Sequence, residues 1–266
     1  MKDMKKYLDG DALYGDDLNI QEIEKWFTDE KEAYADLGAK DKSNYEYAYH
    51  QLNIELGYSK LRNEKYKNVL GFGSAYGDEL YPILDRAENI TIIDPSDSFT
   101  HKDIKGVKCS YIKPNMSGDL AFKDEEFDLI VCLGVLHHIP NVTHVLHELY
   151  RCLSIDGEML LREPIVSMGD WTKDRPGLTK HERGIPLKIF DSIIRNCGFN
   201  FVAKSYCVFP LIPKLANVIN TKAYNSKALT LTDVFLSKLF AWNIRYHTRT
   251  FLHKFRPASV YFYLRK

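Results

Sequence analysis

A glycine-rich turn between two short apolar runs constrains the fold of this chain most. The first run leads into Gly71-Phe72-Gly73-Ser74-Ala75-Tyr76-Gly77, and the second run, residues 90–93, ends in Asp94. Glycines let the backbone approach a ligand closely, and a carboxylate at the tip of the next strand can accept hydrogen bonds from both ribose hydroxyls. We therefore predict a βαβ unit that binds a nucleoside. The alternative is that the glycines only turn a strand into a helix in some other α/β protein.

Three further segments follow this unit in a defined order. Residues 127–140 read FDLIVCLGVLHHIP, residues 145–153 read VLHELYRCL, and residues 156–164 read DGEMLLREP. They have the character of a buried strand ending in two histidines, an amphipathic helix, and a tight turn into another strand. Together with the glycine turn they cover roughly residues 66–165, and they resemble the class I S-adenosylmethionine-dependent methyltransferases.

The resemblance implies a fold, a cofactor and a set of contacts. The fold is α/β, with a Rossmann-like doubly wound sheet of seven strands in the order 3-2-1-4-5-7-6 and an antiparallel last strand. The cofactor is S-adenosyl-L-methionine. The expected cofactor-binding residues are Gly71, Phe72, Gly73, Ser74, Ala75, Gly77, Asp94, Pro95, Met116, Ser117, Leu133 and Gly134, with Asp94 on the ribose and Leu133 and Gly134 beside the sulfonium.

Three positions depart from the family's pattern. The family usually has an acidic residue where Gly71 stands, in contact with the amino group of the cofactor's methionine moiety, and a glycine where Ala75 stands. Relatives often place an Asp near positions 116–117 against the adenine amino group, and neither Met116 nor Ser117 is acidic. Either other groups hold the methionine amino group here, or cofactor affinity is weakened. Such departures also resemble those of inactive relatives, so a cofactor-binding, non-catalytic partner subunit stays an alternative.

The alternation of apolar runs and helical segments predicts the organisation of the chain. Residues 1–66 form a helical N-terminal cap, with Asn19 capping a helix over 20–36 and a second helix over 45–56. The methyltransferase core comprises 67–209 and 257–266. Residues 210–256 form a basic helical insertion, because the stretch is far longer than the hairpin that usually joins the last two strands. The predicted strands are 68–71, 89–94, 107–112, 127–133, 157–162, 199–207 and 259–264.

Methyl transfer to a hydroxyl requires correct positioning and a group that removes a proton. His137 and His138 follow the fourth predicted core strand, whose carboxyl end faces the ligand crevice. Some small-molecule O-methyltransferases that this region resembles use a histidine here, helped by an acidic residue at the end of the fifth strand, which is Glu163. We expect His137 to be the base, with His138 as the alternative and a structural role for both still open. The pair lacks H-x-x-x-H spacing or an adjacent carboxylate cluster, so we predict no metal.

The loop after Glu163 is rich in rings and guanidinium groups. We expect Trp171, Arg175, His181 and Arg183 to contact the methyl acceptor, because guanidinium binds phosphate or carboxylate bidentately. The alternative is a rigid entry into a helix over 187–196 that Pro186 begins. The loop resembles those of methyltransferases from bacterial surface-glycan or sugar-metabolite pathways. We therefore expect O-methylation of a small-molecule or glycan-related hydroxyl, with an anionic acceptor left open, and N- or C-methylation of a small metabolite as the alternative.

Charge and composition limit the partners. The formal net charge is zero, which gives no overall attraction to nucleic acid, so we expect no nucleic-acid partner. No apolar run reaches the ~18 residues of a membrane span, and the charged N-terminus lacks the apolar core of a signal peptide, so we expect a cytoplasmic protein. The five cysteines form no C-x-x-C pair, which favours reduced, mostly buried thiols.

The neutral total conceals an asymmetry between the two ends. Residues 1–60 carry 14 Asp and Glu against 8 Lys and Arg, whereas residues 210–256 carry 8 Lys and Arg against Asp233 alone. Aromatic residues alternate with these cations, which favours contact with an anionic acceptor or a membrane surface. The alternative is a helical hairpin packed on the sheet with solvated basic edges. The sequence does not indicate an oligomeric state.

Overall fold

The fold is an α/β sandwich around a mixed sheet. A computed structural model describes residues 4–42 and 45–266, without the side chains at 38 and 39. Within this part of the chain the sheet has eight strands in the order β3-β4-β2-β1-β5-β6-β8-β7. The strands are Tyr66–Phe72 (β1), Ala87–Ile93 (β2), Asp103–Ile104 (β3), Val107–Ile112 (β4), Phe127–Leu133 (β5), Leu153–Pro164 (β6), Asn200–Cys207 (β7) and Ser259–Arg265 (β8).

Seven of these strands confirm the predicted order, since β4-β2-β1-β5-β6-β8-β7 corresponds to 3-2-1-4-5-7-6. β8 runs antiparallel to both of its neighbours, as predicted. The additional strand is β3, which pairs antiparallel with β4 at the edge of the sheet. Lys105 (φ 50°) and Gly106 (φ 84°) join them in left-handed conformations, as a two-residue hairpin turn of type I′ requires.

Seven α-helices lie in the described part: Met4–Asp9 (α1), Ile20–Glu30 (α2), His50–Leu56 (α3), Val142–Cys152 (α4), Leu187–Cys197 (α5), Leu211–Val218 (α6) and Lys227–Leu239 (α7). Asn19 caps α2 as predicted, through a capping box with Glu22. Two helix predictions were wrong in extent. α2 ends at Glu30, and residues 45–49 are not helical. The segment between β1 and β2 contains only a short 3₁₀ helix, Asp78–Ile83, with Pro82 inside it.

Apolar side chains bury both faces of the sheet. On one face α4 and α5 contribute Leu146, Leu149, Phe190 and Ile194 to a cluster that includes Phe262 of β8. On the other face, residues of α3, α6 and α7 pack against the opposite side chains of the same strands. Burying a side chain of this size stabilises the fold by roughly 1.5–3 kcal/mol, so the two layers fix the strands that hold the site.

The acidic N-terminal part and the basic insertion are in contact with each other. Arg249 pairs with Asp9, Lys222 Nζ lies 3.6 Å from Glu46 Oε2, and Lys227 Nζ lies 3.5 Å from Glu55 Oε1. Part of the charge asymmetry is therefore balanced within the same chain.

Two further predictions concern cysteines and membrane spans. All five cysteines lie in the described part and are free thiols, and four of them are buried, as predicted. No helix among the described residues is both long and apolar enough to cross a membrane.

Candidate functional site

A cavity of about 580 Å³ lies at the carboxyl ends of β1, β2, β5 and β6. This is where parallel α/β sheets bind their ligands. Of the expected cofactor-binding residues, those on its wall are Phe72, Gly73, Ser74, Ala75, Asp94, Pro95, Met116, Leu133 and Gly134. Within the described part of the chain, the other three expected residues, Gly71, Gly77 and Ser117, do not line the cavity. Direct contact of these three residues with the cofactor stays a prediction that the cavity lining does not support.

The glycine turn owes its shape to close approaches. Gly73 has φ 68°, and a Cβ there would lie 2.4 Å from Val135 Cγ1. A Cβ on Gly71 would lie 2.5 Å from Ser74 Oγ, and one on Gly77 2.4 Å from Ile104 Cδ1, so these two glycines support the turn from behind. Ala75 is left-handed too, with φ 46°, which explains why glycine suits this position in relatives.

Asp94 is held in place by the backbone. Its Oδ2 accepts a hydrogen bond from Ala75 N at 3.1 Å, and its Oδ1 accepts one from Ser96 N at 3.0 Å. Burial raises the pKa of Asp94 to about 6, although both backbone contacts oppose this rise. Each carboxylate oxygen still has a second acceptor direction, so the geometry suits a ribose that donates two hydrogen bonds. Near the expected adenine position, Asp119 lines the cavity instead of Ser117.

Two buried ionisable side chains on the wall were not predicted as ligands. Glu79 is 4% exposed, accepts a hydrogen bond from Ser74 Oγ and lies 3.4 Å from Tyr47 OH. Arg162 is 6% exposed, and its Nη1 has no hydrogen-bond partner among the described residues. Its Nη2 lies 3.5 Å from Leu133 O. A signal was available in the sequence, because Arg162 interrupts an apolar strand and Glu79 closely follows the turn that lacks the family's acid.

His137 and Glu163 form a buried pair. His137 Nδ1 lies 2.7 Å from Glu163 Oε2, and Glu163 Oε1 accepts backbone hydrogen bonds from Val135 and Leu136, both at 2.8 Å. On the other side of the ring, His137 Nε2 lies 3.6 Å from Glu182 Oε1. Burial lowers the pKa of His137, but the contacts with Glu163 and Glu182 outweigh it and raise the pKa to about 9.

His138 joins the site to the N-terminal part. Its Nδ1 lies 3.0 Å from Glu30 Oε2 and 3.1 Å from Thr179 Oγ1, and its carbonyl accepts from Trp26 Nε1 at 2.7 Å. Burial, helped by the charge of His137, lowers the pKa of His138. These contacts favour a structural role for His138.

A carboxylate that was not predicted from the sequence lies beside the two histidines. Ligand atoms of His137, His138 and Glu182 all lie within 4.8 Å of one another, close enough to share a metal ion. Glu182 lies far along the chain from the histidines, so spacing could not reveal it. The prediction that the protein uses no metal stays a prediction.

The structure places the four predicted acceptor contacts away from the cavity. Among the described residues, neither Trp171, Arg175, His181 nor Arg183 lies on the cavity wall. Arg183 is fully buried and donates to the carbonyls of Tyr14, Leu136, His137, Ile139 and Pro140, so an anionic ligand cannot reach its guanidinium.

The other three residues hold the same loop in place. Arg175 donates to carbonyls within the loop, at Met168, Thr179 and Lys180. His181 stacks on Trp26 at 4.4 Å and Trp171 on Tyr14 at 5.8 Å, which fastens the loop to the N-terminal part. From this loop, Met168, Gly177 and Glu182 reach the cavity instead.

Comparison with known proteins agrees with this site. Residues 70–161, which contain the glycine turn, Asp94 and the histidine pair, match the model of a methyltransferase domain. Residues 70–161 therefore form a domain of the class I S-adenosylmethionine-dependent methyltransferase type. S-adenosylmethionine is the methyl donor that a domain of this type uses. The cavity itself supports the fit, because it offers Asp94 for a ribose and a buried carboxyl and a buried guanidinium for an amino-acid end.

Two curated relatives match this methyltransferase over their shared domain. A tRNA U34 carboxymethyltransferase of Nautilia profundicola is 34% identical over 113 residues, which are 41% of this chain and 37% of the relative. A ubiquinone biosynthesis O-methyltransferase of Rickettsia conorii is 25% identical over 118 residues, 42% of this chain and 40% of the relative. The chain thus spans well under two thirds of either relative.

A solved structure shares the fold. The S-adenosylmethionine-dependent methyltransferase of Mesorhizobium loti has a TM-score of 0.54 to this methyltransferase at 12% sequence identity, over 81% of this chain and 98% of that one. At this identity the likeness concerns the fold alone.

Proposed function

We propose that this methyltransferase transfers the methyl group to a hydroxyl of a small-molecule or glycan-related acceptor. The observation that carries the proposal is the buried Glu163–His137–Glu182 series on the cavity wall, with Gly134 beside it. A Cβ on Gly134 would lie 3.8 Å from His137 Cε1, so the imidazole borders the residue expected next to the sulfonium. An imidazole in this place suits the removal of a hydroxyl proton.

His137, Glu163 and Glu182 each have a separate role in the methyl transfer. S-adenosylmethionine supplies an activated methyl group on a positively charged sulfur. Neutral His137 accepts the acceptor's hydroxyl proton at Nε2 as the new O–CH₃ bond forms and the C–S bond breaks. Glu163 fixes the ring through Nδ1 and stabilises the resulting imidazolium. Glu182 adds a second negative charge beside Nε2 and stabilises the imidazolium further, and the imidazolium then releases the proton to solvent.

The pH dependence of kcat/KM tests this assignment. Because His137 must be neutral to act, we expect kcat/KM to rise with pH until the pH reaches about 9, the pKa of His137 in the free protein. Glu182→Gln removes a charge that raises this pKa, so the rising limb should move to lower pH. Glu30→Gln is the matched control, since Glu30 contacts His138 instead.

The pH profiles of the three proteins show whether His137 or His138 is the general base. A limb that moves to lower pH in Glu30→Gln assigns the base to His138, because Glu30 raises the pKa of His138 and contacts that histidine directly. A flat profile in all three proteins removes the need for a histidine base and favours the alternative, N- or C-methylation of a small metabolite. A protein that binds the cofactor without turnover is the non-catalytic subunit considered above.

The insertion, residues 210–256, supports a second proposal, which concerns the surface at which the protein encounters its acceptor. α7 presents an inverted pattern, with Thr230, Asp233 and Ser237 buried and large apolar residues exposed. The exposed apolar residues of the insertion are Leu211, Leu215, Val218, Ile219, Leu231, Phe235, Leu239, Trp242, Phe251 and Leu252. These exposed apolar residues, together with the exposed Lys214 and Lys238 of the same insertion, fit an anionic membrane surface to which a lipid-linked acceptor would be bound.

Binding to vesicles tests the membrane contact. We expect the protein to cosediment with vesicles that contain anionic lipid and to be released as salt rises past ~0.15 M. Phe235→Ser combined with Trp242→Ser should weaken binding at least roughly tenfold, because both rings lose their burial in the lipid interface. Ile155→Ser is the control, since Ile155 is 71% exposed but lies outside the insertion. Equal binding by all three proteins would contradict the proposal.

A further inference from the structure

The amino-acid end of the cofactor carries an ammonium and a carboxylate, and the residue that usually meets the ammonium in relatives is Gly71 here. A substituted side chain at 71 has no room, because its Cβ would lie 2.5 Å from Ser74 Oγ. That hydroxyl donates to Glu79, which lies in the first turn of the 3₁₀ helix after the glycine turn. The space behind Gly71 is thus filled by Ser74, and the carboxylate that Ser74 contacts belongs to Glu79.

A cation is available on the same wall. Arg162 extends from β6 into the cavity, stacks 3.9 Å above the ring of Tyr49, and leaves its Nη1 without a hydrogen-bond partner among the described residues. A Cβ on Gly134 would lie 3.5 Å from Arg162 Nη2, so the guanidinium and Gly134 are neighbours on the cavity wall. A buried guanidinium N–H without a partner is costly, and a ligand carboxylate would satisfy it.

We propose that Glu79 and Arg162 bind the amino-acid end of the cofactor, with Glu79 accepting from the ammonium and Arg162 donating to the carboxylate. Tyr47 connects Glu79 with Arg162. Its hydroxyl lies 3.4 Å from Glu79 Oε2, and it belongs to the same loop as Tyr49, on whose ring Arg162 stacks. With the ribose at Asp94, this places the sulfonium beside Gly134 and His137. The inference rests on the cofactor of the family and is independent of the acceptor and of His137 as base.

The proposal has a proton-linked consequence. Burial raises the pKa of Glu79 to about 8, although Ser74, Arg162 and Tyr47 oppose the rise. Near pH 7 the carboxyl of the free protein is thus mostly neutral, and a bound ammonium lowers the pKa and releases the proton. The titratable and charged groups around Glu79 are Arg162, Asp94, Tyr34, Tyr45, Tyr47, Tyr58, Tyr261 and Cys132. Of these, Asp94 titrates lower, at about 6, and is already charged at pH 7.

Calorimetry with two ligands tests the proposal. S-adenosylhomocysteine carries the amino-acid end, whereas methylthioadenosine has the same nucleoside and sulfur without it. We expect Glu79→Gln and Arg162→Met each to weaken S-adenosylhomocysteine roughly 10- to 100-fold, the effect of losing a charge-assisted hydrogen bond, and to leave methylthioadenosine unchanged. At pH 7, titrations in buffers of different ionisation enthalpy should show close to one proton released with S-adenosylhomocysteine and none with methylthioadenosine or in Glu79→Gln.

Asp78→Asn is the matched control, since Asp78 precedes Glu79 in the same short helix and bonds to Tyr81 OH instead. Its affinities for both ligands should equal those of the unaltered protein. Equal loss of both ligands in Glu79→Gln and Arg162→Met would show that the two residues only shape the cavity and would overturn the proposal. Unchanged affinity for S-adenosylhomocysteine would overturn it as well. Neither outcome touches the assignment of His137, which concerns turnover.

Discussion

His137→Gln should lower kcat about 10²- to 10⁴-fold, the usual range for the loss of a general base. Glutamine can keep a hydrogen bond to Glu163, which is 0% exposed and holds the ring in place, so the fold should survive the change. The affinity for S-adenosylhomocysteine should change little, because the side chain is expected to act on the acceptor's proton. Steady-state kinetics, calorimetry and thermal unfolding of the same variant measure these three effects.

His138→Gln is the comparison that identifies the base. His138 Nδ1 contacts Glu30 and Thr179, and the change should weaken the connection to the N-terminal part more than the chemical step. A His137→Gln protein with full turnover would return His137 to a structural role. A larger loss of kcat in His138→Gln than in His137→Gln would make His138 the base.

Asp94→Ala should weaken cofactor binding by ~2–3 kcal/mol, about 30- to 150-fold, while the fold stays intact. The loss follows from removing the carboxylate that Ala75 N and Ser96 N hold in position for the ribose. Calorimetry with S-adenosylhomocysteine measures it. Asp97→Ala is the control, because Asp97 is close in sequence but exposed and paired with Lys113. An unchanged affinity in Asp94→Ala would remove the ribose assignment.

The parts of the site that lie within one strand and its following turn were predictable. Asp94 directly follows β2, His137 follows β5, and Glu163 is the penultimate residue of the neighbouring β6. Local sequence and the carboxyl-end rule were therefore enough to place them. The strand order was predictable for the same reason, since parallel strands and their crossovers permit few arrangements.

Contacts between distant segments were not predictable from the sequence. Glu182 and Glu30 reach the histidines from a loop and from α2, and no spacing rule joins them. Arg183 was expected to contact the acceptor because an arginine in a loop is usually exposed. Its side chain is buried instead, and it donates the hydrogen bonds that water would otherwise give to five backbone carbonyls. Tyr45 and Tyr49 were predicted to be helical, yet they lie in a stretch without regular secondary structure on the cavity wall. The short β3 was missed because two residues leave too little pattern.

The position of the transferred methyl group tests the central claim most directly. The protein is incubated with S-adenosylmethionine labelled in its methyl group and with a panel of hydroxylated small molecules and sugar derivatives, with and without phosphate. Mass spectrometry with fragmentation then locates the label. We expect the unaltered protein to place the labelled methyl group on oxygen, and we expect no such product from the His137→Gln variant. A labelled methyl on nitrogen or carbon, or cofactor binding without transfer to any member of the panel, would contradict it.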